Sequence, residues 1–223
     1  MLLLFWNVKY FGPDSAGYAD RIADIVRHIK THRPIITVLV ELTSNADIVL
    51  ADINKQLGHE YQTKSINVGG GNNEHFGVLL APVFGLGSAA KLTAKDVRIG
   101  GGTRMIGHLS IPKMDDVRAF GLYMCHPSPC AFTNSVALKE AVEFLDGLSG
   151  RSLMVGDFNA KDWTIAGAGG AHPDVATHQG ASKKLCTIDG AVFRDMHVRV
   201  IKVQRVTSAG AKSDHSWILF DVS

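Results

Sequence analysis

The run Leu153-Met154-Val155 leads directly into Gly156-Asp157-Phe158-Asn159, so an apolar segment of strand type ends on a carboxylate and a carboxamide separated by one residue. A carboxylate is a hard anionic oxygen suited to a divalent cation, and an amide can grip a phosphate oxygen or orient water. Three further junctions have the same form. Leu2-Leu3-Leu4-Phe5-Trp6 runs into Asn7, Ile35 to Val40 runs into Glu41, and Ser213-Asp214-His215 stands just before the apolar run Trp217-Ile218-Leu219-Phe220. Any one of these is explained as well by a polar turn closing a strand. Four in one chain point to strand ends that gather into a site, where α/β proteins place their ligands.

The elements that must position these residues alternate between helical and strand periods. Ile22, Ile25, Val26 and Ile29 mark one face of a helix over Tyr18 to Thr31, closed by Arg33-Pro34. A second helix is predicted from Asn45 to Gln56, with Gly58 beyond it, and a third from Ser135 to Leu148. Between the second and third lie apolar runs at Phe76 to Leu80, Leu92 to Val97, Met105 to Ile111 and Ala119 to Cys125. The first three, separated by glycine clusters, read as antiparallel strands joined by turns. Leu185 to Phe193, Val198 to Val206 and Trp217 to Val222 complete the predicted strands, while Lys161 to Lys184, rich in Gly and Ala, has no stable period. The pattern predicts an α/β fold of four layers, α/β/β/α, in which two packed, mainly antiparallel sheets are flanked by helices.

At 223 residues the chain is long enough for one well-buried domain spanning residues 1–223. Lys plus Arg exceed Asp plus Glu by only 23 to 21, so overall charge neither announces nor excludes a polyanionic substrate. The N-terminal apolar run is short and lacks a basic segment ahead of it, so it reads as a first strand. No run approaches the length of a membrane span. Cys125, Cys130 and Cys186 form no CxxC pair, which argues against a disulfide framework and a structural zinc site and predicts free thiols in a reducing, cytoplasmic setting. Gly69-Gly70-Gly71 and Gly100-Gly101-Gly102 lack the Lys-Ser/Thr of a phosphate-binding loop and read as turns. His28, His32, His59, His108 and His197 have no partner legible from spacing, and His172 and His178 are expected in a solvated loop.

Taken in order, Trp6-Asn7, Glu41, His126, Gly156-Asp157-Phe158-Asn159, Asp189 and Ser213-Asp214-His215 resemble the endonuclease/exonuclease/phosphatase superfamily of metal-dependent phosphodiesterases. Glu74-His75-Phe76, Thr103-Arg104, His126-Pro127-Ser128-Pro129 and Cys186-Thr187-Ile188-Asp189 are closest in pattern to its deoxyribonuclease I-like branch. Lys9 stands where repair endonucleases of the superfamily carry a carboxylate two residues after the first Asn, and His126 where they place a tyrosine. Both differences point away from abasic-site repair.

The resemblance implies a Mg²⁺ ion, with Mn²⁺ as a substitute, held by Glu41 with Asp214 and Asn7. It implies catalytic roles for His215, oriented by Asp189, for Asp157 and Asn159 facing the scissile group, and for His126 with Glu74 as proton donor to the leaving group. Asn7, Asn159 and Arg104 are the implied substrate-binding residues. Phosphodiester hydrolysis needs a deprotonated water, charge relief on the phosphate and a proton for the alkoxide, and these residue types cover those needs. The expected activity is Mg²⁺-dependent endonucleolytic hydrolysis of DNA, by a monomer that uses no membrane. A phosphatase or small-molecule phosphodiesterase, for instance one acting on inositol phosphates, is the alternative on the same scaffold, and a non-catalytic binding module is the rival outside enzymes.

Overall fold

The computed structural model describes residues 1–83, 86–100, 102–114, 117–127, 136–160, 163, 169–179, 185–204 and 215–223. In chain order the elements are β1 (Leu2–Phe11), α1 (Tyr18–His32), β2 (Ile36–Leu42), α2 (Ala46–Gln56), β3 (Gln62–Gly69), β4 (Glu74–Leu80), α3 (Leu86–Ala89), β5 (Lys91–Lys95) and β6 (Ile106–Ile111). They continue with β7 (Phe120–Cys125), α4 (Val136–Asp146), β8 (Ser152–Asp157), β9 (Gly169–Ala171), β10 (His178–Gln179), β11 (Leu185–Cys186), β12 (Asp189–Arg194), β13 (Val198–Val203) and β14 (Ile218–Val222).

Two six-stranded sheets form, ordered β13-β14-β1-β2-β4-β3 and β5-β6-β7-β8-β12-β9. Each has one parallel pair near its centre, β1 with β2 and β7 with β8, among antiparallel neighbours. Alternation along the strands sorts side chains into layers. Leu3, Phe5, Val38, Phe76 and Val78 meet Leu109, Leu122, Met124, Leu153 and Val155 in a core between the sheets. Leu4, Trp6 and Leu39, in the opposite phase, are covered by α1 and α2 through Ile22, Ile25, Val49 and Ile53. On the far side Tyr123, Cys125 and Met154 pack under Ala137, Leu138 and Ala141 of α4. The expected α/β/β/α sandwich is the observed architecture.

Three local expectations need correction. Strand β3 has no apolar run to betray it, because it is an edge strand whose residues are mostly half-buried. The predicted strand Leu185 to Phe193 is two strands, β11 and β12, broken at Thr187-Ile188. Lys161 to Lys184 reads as lacking regular structure, yet within its described residues, 163 and 169–179, β9 pairs with β12 and β10 with β11, so long-range pairing supplies what local periodicity lacks; the rest of the segment lies outside the described residues. Residues 205 and 206, the end of the expected strand Val198 to Val206, lie outside the described residues.

Candidate active site

The site stands at one end of the crevice between the sheets, and strand phase explains why. Asn7 continues the inward face of Leu3 and Phe5, Glu74 precedes inward Phe76 and Val78, and Asp157 follows inward Leu153 and Val155. His126, one step past β7, keeps the phase of Leu122 and Met124, and Asp189 that of Ala191. Their polar atoms therefore share the crevice that the core fills further along.

Glu41 is the exception to this phase, since Val38 and Val40 point inward. Its backbone is left-handed, with φ 60°, and the β2–β4 register shifts between Leu39 and Leu42. This irregularity re-aims the side chain into the crevice. A matching shift interrupts β1 against β2 between Asn7 and Phe11, where Lys9 and Tyr10 have φ 48° and 46°. Asn159 is also left-handed, at φ 50°. Non-glycine residues in this region carry a conformational cost that persists only when surrounding contacts enforce it, and such residues gather at functional sites.

The side chains form one buried network centred on Asp157. Asn7 Nδ2 donates to Glu41 Oε1 at 2.9 Å and to Asp157 Oδ2 at 3.2 Å, while Asn7 Oδ1 accepts from the Lys9 N–H at 3.0 Å. His126 Nδ1 lies 2.9 and 3.1 Å from the two Glu74 oxygens, and its Nε2 lies 2.9 Å from Glu41 Oε1 and 3.8 Å from Asp157 Oδ2. His215 Nδ1 lies 3.0 Å from Asp189 Oδ2, and its Nε2 lies 3.7 Å from Asp157 Oδ2. Two carboxylate–imidazole pairs thus approach the same Asp157 oxygen. Asp157 Oδ1 accepts the Asn159 N–H at 3.0 Å, which closes the turn that carries Asn159.

Arg104 is almost wholly buried and holds Glu74 through an ion pair, Nε to Oε2 at 2.6 Å, while its other nitrogens reach His126 O and Tyr10 Oη. In this arrangement Arg104 braces the Glu74–His126 pair. Asn7 likewise turns its N–H groups to the carboxylates. Asp214 lies outside the described residues.

Charge explains the titration shifts. Burial alone would raise the Glu41 pKa, but hydrogen bonds from His126 and Asn7 overcome that effect and hold it at about 2. Burial disfavours the charged form of His126, yet Glu41 and Glu74 together push its pKa well above the ordinary imidazole value. Asp157 is raised to about 6 by burial and by the nearby Asp189 charge, against the opposing pull of His215 and His126. Among the described residues, the carboxylates Glu41, Glu74, Asp157 and Asp189 are buried here with the imidazoles of His126 and His215 and the guanidinium of Arg104. The raised Asp157 pKa marks a place short of positive charge.

Among the described residues, two donor groups fit a divalent cation: Glu41, His126 and Asp157, and Asp157, Asp189 and His215, each with ligand atoms within 4.8 Å of one another. The oxygen-rich composition suits a hard ion.

Several contributors carry no motif in the sequence. Thr177 is fully buried, and its Oγ1 accepts the N–H groups of Ile188 and Asp189, each at 3.1 Å, while its carbonyl accepts Ser216 N–H at 2.7 Å. It ties the Asp189 strand to the His215 segment. Trp6 Nε1 donates to His215 O at 3.1 Å. His178 was expected in a solvated loop, but its ring lies 4.5 Å from that of His215, because β10 is drawn into the site edge. Trp163 packs edge-on to Phe158 and donates to Thr187 O, so it supports the site from behind.

Residues 4–215 match the model of the endonuclease/exonuclease/phosphatase family. The chain belongs to this family. No functionally curated protein matches the sequence. Among solved structures, a humanized D. rerio TDP2 superposes with TM-score 0.68 at 14% identity, covering 99% of this chain and 98% of that one. An endonuclease/exonuclease/phosphatase family protein of Leptotrichia buccalis gives TM-score 0.68 at 17% identity, covering 100% and 99%. The Bacteroides thetaiotaomicron mannosyl-6-phosphatase gives 0.64 at 16%, covering 100% and 99%. The family fold is thus shared by proteins that differ in substrate, and its members are hydrolases of phosphoesters.

Proposed function

We propose that this endonuclease/exonuclease/phosphatase family chain is a Mg²⁺-dependent phosphodiesterase that cuts DNA internally, with Mn²⁺ able to replace Mg²⁺. The observation that carries the reading is the convergence of two carboxylate–imidazole pairs on Asp157, with imidazole nitrogens 3.7 and 3.8 Å from its Oδ2. Hydrolysis of a diester requires one group to take a proton from water and another to return one to the departing oxygen. Two oriented imidazoles on either side of a shared carboxylate suit that division.

Asp189 fixes the His215 tautomer through Nδ1 and leaves Nε2 directed towards Asp157. His215 and Asp157 together draw the proton from the attacking water. Glu41 and Glu74 together keep His126 charged, and Glu74 holds it at Nδ1, so it delivers a proton to the leaving alkoxide. Asn159 donates a hydrogen bond to a non-bridging oxygen, while Asn7, whose Nδ2 is given to Glu41 and Asp157, positions those carboxylates. Glu41 and Asp157, with Asn7 beside them and Asp214 in sequence reach of His215, would hold the cation, which when bound supplies Lewis-acid relief of phosphate charge.

The DNA preference rests on the mouth of the site. Lys9 and Tyr10 are both exposed on the β1 bulge beside Asn7, which places a cation and an aromatic ring where a nucleic-acid strand would pass. A structural neighbour, D. rerio TDP2, has been seen in complex with a single-stranded DNA product. Cys125 is a buried free thiol, in keeping with a reducing cytoplasmic compartment, and no helix among the described residues is long and apolar enough to cross a membrane.

Purified protein incubated with supercoiled plasmid, single-stranded DNA, RNA, an aryl phosphodiester and an inositol polyphosphate, each with Mg²⁺, Mn²⁺, Ca²⁺ or chelator, tests the proposal. Metal-dependent plasmid nicking is expected, lowered at least about a hundredfold by Asp157→Asn and by His215→Ala while the circular dichroism spectrum is kept. Turnover of the inositol phosphate alone would overturn the nuclease reading.

A further inference from the structure

At the other end of β8, about 17 Å from Asp157 by strand rise, a second concave site opens on the face of the β5–β12 sheet turned away from the core. Its volume is about 400 Å³, within the range of small-ligand sites. Arg151, Ser152, Ser149, Ser110, His108 and Tyr123 line it, and among the described residues no carboxylate does. Two of these groups hold buried polar atoms with no partner among the described residues, Arg151 Nε and Ser152 Oγ. Ser152, only 2% exposed, sits at the floor of the groove it lines. A buried donor left unpaired is costly, so Arg151 Nε and Ser152 Oγ each favour an acceptor.

The same groove offers a ring surface. His108 stacks on Tyr123 at 4.7 Å between centroids, and Tyr123 is held edge-on by Phe144 at 5.2 Å. His108 is only partly buried, so stacking area remains accessible. Burial and the Lys95 charge lower its pKa, which keeps the imidazole neutral near pH 7 and suited to face a planar base. Lys95 and Arg151 make the surroundings favourable to an anion.

We propose that this groove binds a nucleoside phosphate, its phosphate on Arg151, Ser152 and Ser149 and its base against His108. The ligand is either a free mononucleotide or one unit of a nucleic-acid strand lying across the face. The site is independent of the catalytic network and of the reaction assigned to it.

Calorimetric titration of the full chain in chelator, with AMP, TMP, inorganic phosphate and a short oligothymidylate as separate probes, tests the proposal. Saturable nucleotide binding is expected, weakened about tenfold or more by Arg151→Ala, as for loss of a charge-assisted hydrogen bond, and less by Ser152→Ala. His108→Ala should weaken AMP and TMP binding but leave inorganic phosphate unchanged. Equal effects on both would overturn the role of the ring. Asp157→Asn should retain nucleotide binding. Loss there with retention in Arg151→Ala would place the nucleotide in the catalytic crevice and overturn the proposal, as would absence of nucleotide binding by the unaltered chain. Thermal unfolding of each variant separates loss of a contact from loss of the fold, with Arg151→Gln as a second variant if Arg151→Ala unfolds. Tighter binding of the oligothymidylate with the same dependence on Arg151 identifies a strand, and equal binding identifies the free nucleotide.

Discussion

Asp157 Oδ2 is approached by Asn7, His126 and His215, whose positions depend on residues that never face the crevice. Thr177 illustrates this dependence, since one hydroxyl accepts the N–H groups of both Ile188 and Asp189. Thr177→Val keeps the shape but leaves two buried donors unpaired, each costing about 1–3 kcal/mol. Urea denaturation should show a loss of that order, and turnover should fall about tenfold through misplacement of Asp189 behind His215. A variant with unchanged turnover would show that Asp189 holds its position without Thr177.

Strand pairing sets how closely the elements carrying these groups approach. Gly156 pairs with Cys125 across the parallel β7–β8 ladder, and a Cβ on it would lie 2.5 Å from Cys125 Sγ. Gly156→Ala is expected to cost about 1–3 kcal/mol as the strands part, measured as a lower urea midpoint. Because Asp157 ends β8 and His126 follows directly on β7, activity should fall with it.

Helix α1 carries a different dependence. His28 packs against Trp6 and Trp217, with ring centroids 5.9 and 4.7 Å away, and burial lowers its pKa to about 4. Asp24 opposes that shift, while Arg27, His32 and Lys202 add to it. The unfolded chain therefore binds the proton first. Stability should be fullest above about pH 6.5, fall as pH drops towards about 4, and change little below that on this group's account. His28→Gln should flatten the slope in that window relative to the unaltered protein, as followed by thermal unfolding across pH.

Two sheets share one core and converge at one end on the buried carboxylates Glu41, Glu74, Asp157 and Asp189. A cation that binds there binds only the folded chain, because the unfolded chain scatters these groups. Mg²⁺ or Mn²⁺ at a hundred times its dissociation constant should stabilise the fold by about 2.7 kcal/mol, seen as a higher melting temperature that chelator reverses. Asp157→Asn should reduce that metal-induced rise, whatever its effect on catalysis. An unchanged rise would remove Asp157 from the cation site.

Strand ends, helices and layer order were legible because burial imposes periods on the chain. Leu153 to Val155 running into Asp157, and Leu2 to Trp6 running into Asn7, state that polar groups stand where apolar strands stop. The pairing of Glu74 with His126, and of Asp189 with His215, came from resemblance, since residues 52 and 26 positions apart have no local rule to join them. Other features were not legible at all. The reach of His126 Nε2 to Glu41 depends on a left-handed turn at Glu41, and the ring contact of His178 with His215 depends on β10 docking beside it. Periodicity records which face of a strand is buried, whereas the meeting of two strand ends is set by register, bulges and sheet packing, which are properties of the folded chain.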